Sequence, residues 1–447
     1  MTKNMTFGPP WHLIISFSVP LIIGNMFQQL YNMADSFIVS RTIGTAALAA
    51  VGSTGSLNFF ILGFIIGFTN GAAIITAQRF GAGDEAGIRR SFACGILLSG
   101  IITIVLMALS ISFLKPLLRL LNTPEEIFGG AWSYMVTLLW GMPAITLFNI
   151  CSNTMRSVGD SRTPLCFLVV ACVINIILDY LFILAFGMGV FGAGLATVLA
   201  QLIAGLLCIP AIYMRIKTLR ITREDWKISG KEIWQTIRIA LPVGFQWSII
   251  AIGALAVTFS INSLGTLSIA AFTTGNRIDQ LAGMPLSSLG QAMTTYSAQN
   301  YGAKKWQRIR KGVFQGSLIA LIFAAVMGAV FVAAGRNFGA LFLKGDKTAI
   351  ELTHTYLMIQ GLFFIFLSQL FVYRQTLVGL GNSLIPTLAG IMELVMRTLA
   401  ALLLSIPFGF IGICFAGPLA WLGALVPLTS SLILTLEKLK RLELRKR

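Results

Sequence analysis

The stretch SRTIGTAALAA at residues 40–50 returns as INSLGTLSIAA at 261–271. The same shift of 221 positions, without gaps, lays AQRFGAG (77–83) on AQNYGAK (298–304). It pairs Gly44 with Gly265, Gln78 with Gln299 and Arg89 with Arg310. A shift of 222 then lays GDSRTP (159–164) on GNSLIP (381–386). Three separate blocks at nearly one offset mark a duplicated chain, and the fold follows from what lies between them.

What lies between them is apolar. The chain has 447 residues, 56% hydrophobic and only 11% charged, with a mean hydropathy of +0.84. Soluble domains carry about 25% charged residues, so this chain could not cover its own surface in water. A soluble enzyme, a disordered protein and a nucleic-acid binder are thereby excluded. A membrane-crossing helix needs about 20 mainly apolar residues. Twelve such runs occur, roughly at 13–40, 47–77, 91–114, 127–151, 164–186, 191–214, 234–263, 267–299, 312–342, 351–378, 385–407 and 412–436. The one markedly hydrophilic stretch, Arg215 to Glu232, splits them six and six. The reading is an all-α membrane protein with twelve transmembrane helices in two pseudo-symmetric six-helix lobes around a central cavity. Residues 1–214 form the N-terminal lobe, 215–233 a cytoplasmic linker, and 234–447 the C-terminal lobe with a basic tail. Six spans separate matched residues and six is even, so both halves share one topology. Internal repeats of this kind are typical of secondary transporters. Pro20, Pro242 and Pro285 fall inside the runs and predict kinks or local unwinding.

The net charge of +17, from 33 Lys+Arg against 16 Asp+Glu, would suggest a nucleic-acid partner in a soluble protein. In a membrane protein it reports orientation. If the N-terminus, the even-to-odd loops and the C-terminus share one side, that side holds 25 basic residues. Arg374 and the six from Lys438 to Arg447 are counted there. The other side holds six, among them Lys344, and Arg277 and Arg397 fall in spans. The expectation is a multi-pass protein of a prokaryotic plasma (inner) membrane with both termini cytoplasmic and its basic side on anionic lipid. The short polar N-terminus lacks a small-residue cleavage signature, so the first run reads as a retained helix. Cys94, Cys151, Cys166, Cys172, Cys208 and Cys414 lie in apolar runs without a CxxC pair and read as small buried residues, implying neither disulfides nor a metal site. His12 and His354 have no ligand-like companions and read as interfacial. No phosphate-binding loop, GxSxG or HExxH occurs, which speaks against ATP-driven transport within this chain.

Ionisable residues inside spans are costly and default to a functional hypothesis. Four acids lie there: Asp35, Asp179, Asp279 and Glu393. In NMFQQLYNMADSF, Gln28, Tyr31 and Asp35 are spaced by three and four and share one helical face. A carboxylate with an amide and a phenol beside it could hold a proton or a small cation; an Asp near a helix end could also simply cap or snorkel. In CVINIILDYLFIL, Asn175 precedes Asp179 by four. The pair suits an ion site of hard oxygen ligands, and equally suits polar glue between helices, worth roughly 1 kcal/mol. Glu393 and Arg397 form an i, i+4 pair, for which mutual neutralisation is the plain account. Arg277 and Asp279 are two apart, point to different faces and need partners elsewhere; they are candidates for a second-half cavity. Sixteen Met and 32 Phe suit either core and lipid-facing packing or a promiscuous cavity.

With these features in hand, the sequence resembles the multidrug and toxic compound extrusion (MATE) family of the MOP superfamily. The likeness runs along almost the whole chain. It rests on the 6+6 layout, SVPLIIGNMFQQLYNMADSFIVSRTIGTAALAAVG, AQRFGAGD with its repeat AQNYGAKK, the GDSRTP/GNSLIP pair and NIILDYLFILAFGMGVFGAGLATVLAQ. The resemblance implies export by alternating access, driven by inward Na⁺ or H⁺. Family members with a cation site in the first lobe use an Asp on helix one and an Asn/Asp pair on helix five, together with a Thr on helix six. Asp35, Asn175, Asp179 and Thr197 match those positions. Other members use acids on helices seven and ten; here no acid lies between Arg238 and Leu264, and the tenth helix carries Arg374. Substrates are expected to be cationic amphipathic small molecules, with no cofactor beyond the coupling ion, no metal beyond a possible Na⁺ and no obligate protein partner. Gln28, Tyr31, Arg277, Asp279 and Glu393 are the candidate cavity residues. The rivals are a lipid-linked oligosaccharide or lipid flippase of the same superfamily, an intramembrane aspartyl protease, against which no GxGD sits in a span, and a passive channel.

Overall fold

Within lipid no water satisfies backbone N–H and C=O groups, so a spanning segment must be a helix or part of a closed barrel. The long Leu/Ile/Ala/Phe runs of this chain take the first solution. A computed structural model describes residues 3–343 and 345–444, and among these there is no strand. Lys344 and the tail residues Arg445, Lys446 and Arg447, which entered the charge count, lie outside the described residues.

The helices are α1 (Pro10–Thr42), α2 (Thr45–Ser53), α3 (Gly55–Ala82), α4 (Glu85–Leu120), α5 (Glu125–Trp140), α6 (Met142–Ser157), α7 (Arg162–Tyr180) and α8 (Gly189–Arg215) in the first half. The second half holds α9 (Gly230–Asn262), α10 (Thr266–Gly302), α11 (Trp306–Phe342), α12 (Lys347–Gly379), α13 (Leu384–Cys414) and α14 (Ala416–Leu444). Each of the twelve expected runs corresponds to one helix or to a pair. Ten described helices are long and apolar enough to cross a membrane, and the pair α5–α6 makes an eleventh. The twelfth, α10, spans 37 residues but is interrupted by Arg277, Asp279 and the polar run SSLGQAMTTYSAQN.

Helix breaks fall where the backbone demands them. The fourth run is two helices meeting at Gly141 with a bend of 48°; a side chain there would strike Val198, so the close packing of α8 fixes the residue as glycine. The second run divides at Thr54 into α2 and α3. Pro20, Pro242 and Pro285 do not end helices: α1, α9 and α10 run through them. In α13 the break follows Pro407, at Gly409 with φ 54°.

The chain forms two compact units. The first takes Met1–Asn4 and Pro20–Ser248, the second Met5–Val19 and Ile249–Arg447. These differ from the lobes drawn on the sequence, because α1 changes unit at Pro20 and α9 just past Pro242. In the first unit, Phe64, Phe68, Phe92, Phe148 and Met155 centre the main apolar cluster. Its linker is folded by two short 3-10 turns, Lys217–Leu219 and Arg223–Trp226. Asp225 accepts from both the Thr222 N–H and hydroxyl at 2.7 Å and takes the Arg89 Nε–H at 3.1 Å, which pins the turn to α4. In the second unit, Gln299 Oε1 accepts from Met5 N at 2.8 Å. Asn300 Nδ2 and Arg308 Nη2 donate to the Met5 carbonyl at 3.2 Å. The repeat motif AQNYGAKK therefore anchors the chain's beginning. Five cysteines are buried and free as expected, whereas Cys166 is exposed.

Candidate functional site

The first unit gathers one polar cluster inside its apolar packing. Asp179 and Asn175 lie one helical turn apart on α7 and both are fully buried. Asp35, on α1, is 7% exposed, and its carboxyl adjoins the Asp179 carboxyl. In the amide orientation that satisfies both ends, Asn175 Nδ2 donates to Asp179 Oδ2 at 3.0 Å and its oxygen accepts from the Thr197 N–H at 3.2 Å. Tyr31 donates to Thr197 Oγ1 at 3.1 Å, and that hydroxyl donates to the Ala193 carbonyl at 3.1 Å. Asp35, Asn175, Asp179 and Thr197, four positions separated by up to 162 residues, thus meet, with Tyr31 tying α1 to α8.

Two oxygens give the cluster its chemistry. Asp35 Oδ1 and Asp179 Oδ1 are buried without a hydrogen-bond donor. No arginine or lysine pairs with either acid among the described residues. Two carboxyl groups touch stably only with a proton or a cation between them, since like charges repel and each carboxylate needs partners when buried. The unclaimed oxygens are the free ligands for such an ion, and hard oxygen donors suit a proton or an alkali cation better than a transition metal.

Sequence reasoning missed two contributors. Tyr134 on α5 is buried and lies in the field of both Asp35 and Asp179; nothing in EEIFGGAWSYMVTLLW singles it out except its place behind a bend. Directly after Asp179, residues Leu181–Ala185 wind as a π-helix, a distortion that often marks functional sites. Gly187 and Gly189, at φ 63° and 58°, let the chain turn there into α8 and bring Thr197 to α7. Gln28, expected on the same face, is half-buried and joins none of these bonds.

The second unit holds a different constellation. Glu393 is 6% exposed and Arg374 3%. Arg374 Nη2 donates to Glu393 Oε2 at 2.6 Å, and Arg397 Nη2 donates to Glu393 Oε1 at 2.7 Å. Two expectations change. Arg374, placed on the tenth helix but counted among the charges of one membrane side, is buried on α12 against Glu393, and the Glu393–Arg397 pair is not self-neutralising, because Arg374 adds a second positive charge to one acid. Asp279 on α10 is half-buried, lies within the field of Arg397 and leaves Oδ1 buried without a donor. Arg277 is exposed and belongs to no ion pair among the described residues. No group of three metal-ligating side chains occurs among them either. His12 packs edge-on against Trp11.

A duplicated chain of long apolar helices, with two acids buried together in its first unit and each keeping one oxygen without a donor, has the build of a membrane transporter. The chain belongs to the MatE family, whose profile matches residues 20–181 and 242–399. It is 27% identical over 398 residues to the probable multidrug resistance protein YoeA of Bacillus subtilis, covering 88% of this chain and 86% of that one. It is 26% identical over 410 residues to the FAD transporter of Shewanella oneidensis, with 88% of each covered. Its fold matches a solved outward-facing multidrug resistance MATE family transporter of the MOP superfamily with a TM-score of 0.89, at 23% identity over 98% of this chain and 99% of that one.

Proposed function

We propose that this chain exports cationic amphipathic small molecules by alternating access, using inward Na⁺ or H⁺ taken up at Asp35 and Asp179. The observation that carries the reading is the meeting of two buried carboxyls, each with one oxygen, Oδ1, that finds no donor. An ion there does two things. It removes the repulsion between the acids, and it completes a shell to which Asn175 already contributes by holding Asp179, with Thr197 and Tyr31 adjoining. With the ion gone, α1 and α7 lose what holds their carboxyls together. Ion occupancy is therefore coupled to the position of α1 against α7, which is what an antiporter requires: a ligand shifts a conformational equilibrium only through differential affinity for its states.

Relatives named as multidrug resistance proteins support small organic molecules as the cargo. The excess of basic residues on one set of loops supports both termini facing the cytoplasm of a bacterial plasma membrane. The test is uptake of a fluorescent cationic dye into inverted vesicles, under a Na⁺ gradient and separately under a pH gradient. Asp35→Asn and Asp179→Asn should each abolish gradient-driven uptake in a protein that still purifies as a folded species. Uptake unchanged by both substitutions would overturn the assignment.

A further inference from the structure

In the first unit, α5 and α6 pack along α8 in one register. A Cβ on Gly194 would lie 3.1 Å from that of Thr137, one on Gly141 would strike Val198, and one on Gly205 would lie 3.1 Å from the Phe148 nitrogen. The members of each pair are 57 positions apart. A constant separation means parallel helices whose residues stand side by side along their length, and Gly205 lets the backbones approach closely. Three residues further on along both helices, and again 57 apart, stand Cys151 and Cys208. Cys151 is 3% exposed and Cys208 fully buried, and both are free thiols. They share one apolar cluster, and Cys208 lies in the field of Cys151. No spacing along the chain announces them, because helix packing alone makes the pair.

Arg156 completes the cluster. It follows Cys151 on α6 and lies in the field of Cys208. It is half-buried, forms no ion pair among the described residues, and its Nε is buried without a partner. A guanidinium with no acid to pair with is costly in a membrane-spanning bundle. Two neutral thiols do little to offset it. Two thiolates on a monovalent cation offset it fully, since that complex carries one negative charge.

The donor set selects the ion. Thiolates are soft ligands that favour Cu(I), zinc or iron–sulfur clusters. Structural zinc takes four protein ligands and iron–sulfur clusters take four as well, whereas no group of even three metal-ligating side chains occurs among the described residues. A monovalent d10 cation is satisfied by two thiolates in a line.

We propose that Cys151 and Cys208 form a two-coordinate site for a soft monovalent cation such as Cu(I), with Arg156 as the positioning residue that offsets the charge of the complex. Each thiol passes its proton to water, each sulfur donates one electron pair to the cation, and nothing is oxidised or reduced. The bound ion ties α6 to α8. The site uses none of the residues of the Asp35–Asp179 cluster and does not rest on the export reading.

The experiment titrates the full chain in detergent, without oxygen, against the coloured Cu(I)–bicinchoninate complex, whose loss of absorbance reports transfer to the protein. One Cu(I) per chain is expected. Cys151→Ala and Cys208→Ala should each abolish transfer, and Cys166→Ala, at the exposed thiol, should leave it unchanged. Arg156→Gln should weaken the site about tenfold, as loss of a group supporting a metal ligand does, and Arg156→Lys should recover part of the affinity. A second measurement needs no variant: X-ray absorption at the copper edge of the loaded, unsubstituted chain should show two sulfur neighbours in a line. Transfer that survives either alanine substitution at 151 or 208, no transfer to the unsubstituted protein, a third ligand in the spectrum, or copper held between two chains would each overturn the proposal. An affinity unchanged by Arg156→Gln would overturn the role given to the arginine.

Discussion

The two units of this transporter bury different ionic clusters. The first unit opposes two acids, Asp35 and Asp179, with no base in reach; the second surrounds one acid, Glu393, with two arginines. Both sit among helices of the same repeat, and both have a buried tyrosine beside them, Tyr134 and Tyr356. The difference shows how a duplicated chain becomes asymmetric: the helices recur, and a handful of substitutions decides which charges each half buries.

The comparison predicts opposite responses to losing an acid. Glu393→Gln leaves Arg374 and Arg397 facing each other in the bundle. Breaking a buried ion pair by removing one partner costs about 3–5 kcal/mol, enough to lower the thermal unfolding temperature of the purified protein markedly. Asp179→Asn is the same kind of change with the other sign: it relieves a carboxyl–carboxyl contact and keeps a hydrogen-bonding amide in place. Its unfolding temperature should stay level or rise while gradient-driven uptake disappears. Destabilisation by Asp179→Asn matching that of Glu393→Gln would mean that the first cluster is structural, and the contrast between the halves would fall.

How much of this was legible in the sequence depends on the distance over which each feature is decided. The twelve runs and the duplication were readable because apolar length and repeat spacing are local. Asp35, Asn175 and Asp179 stood out because polar side chains are scarce in spans, and their i, i+4 spacing is also local. Arg374's role was not readable. Its position, five residues from the end of α12, looks like that of any basic residue flanking a membrane, and only the packing of α12 on α13 turns it onto Glu393. Tyr134 was hidden for a similar reason, since the bend at Gly141 that orients α5 comes from contact with Val198, 57 positions away. The unit change of α1 at Pro20 was hidden too, because a proline inside a helix does not say what its two ends pack against.

A smaller effect is expected at the linker, whose anchoring belongs to the first unit alone. Burial alone would raise the Asp225 carboxyl, but the Thr222 hydrogen bonds and the Arg89 guanidinium outweigh it and hold the group below its ordinary value. The stabilisation is therefore fully present above the unfolded carboxylate value of about 3.9 and is lost as pH falls through the lower folded one. At neutral pH, Asp225→Ala removes both the cap and the partly exposed ion pair, worth about 1–2 kcal/mol together. Limited trypsin digestion should then cut faster after Arg220, Arg223 and Lys227, and cleavage within the second unit should be unaffected. Equal rates for the two proteins would show that the turn is held by its apolar contacts, with Leu219 buried beneath it.

The smallest effect separates the two clusters most finely. Tyr31 donates one hydrogen bond to Thr197, and the offset of 221 puts Ile252, which has no side-chain donor, at the matched place. Tyr31→Phe removes that donor while keeping the ring in its packing, a loss of about 1 kcal/mol. Thr197 then orients less firmly beside the acids, so half-saturation of uptake by the coupling ion should rise about fivefold, with the maximal rate little changed. The unfolding temperature, which Glu393→Gln lowers, should move little. A fall in the maximal rate with half-saturation unchanged would mean that Tyr31 acts on the substrate's side of the cycle, and the comparison of the two clusters would have to be redrawn with it there.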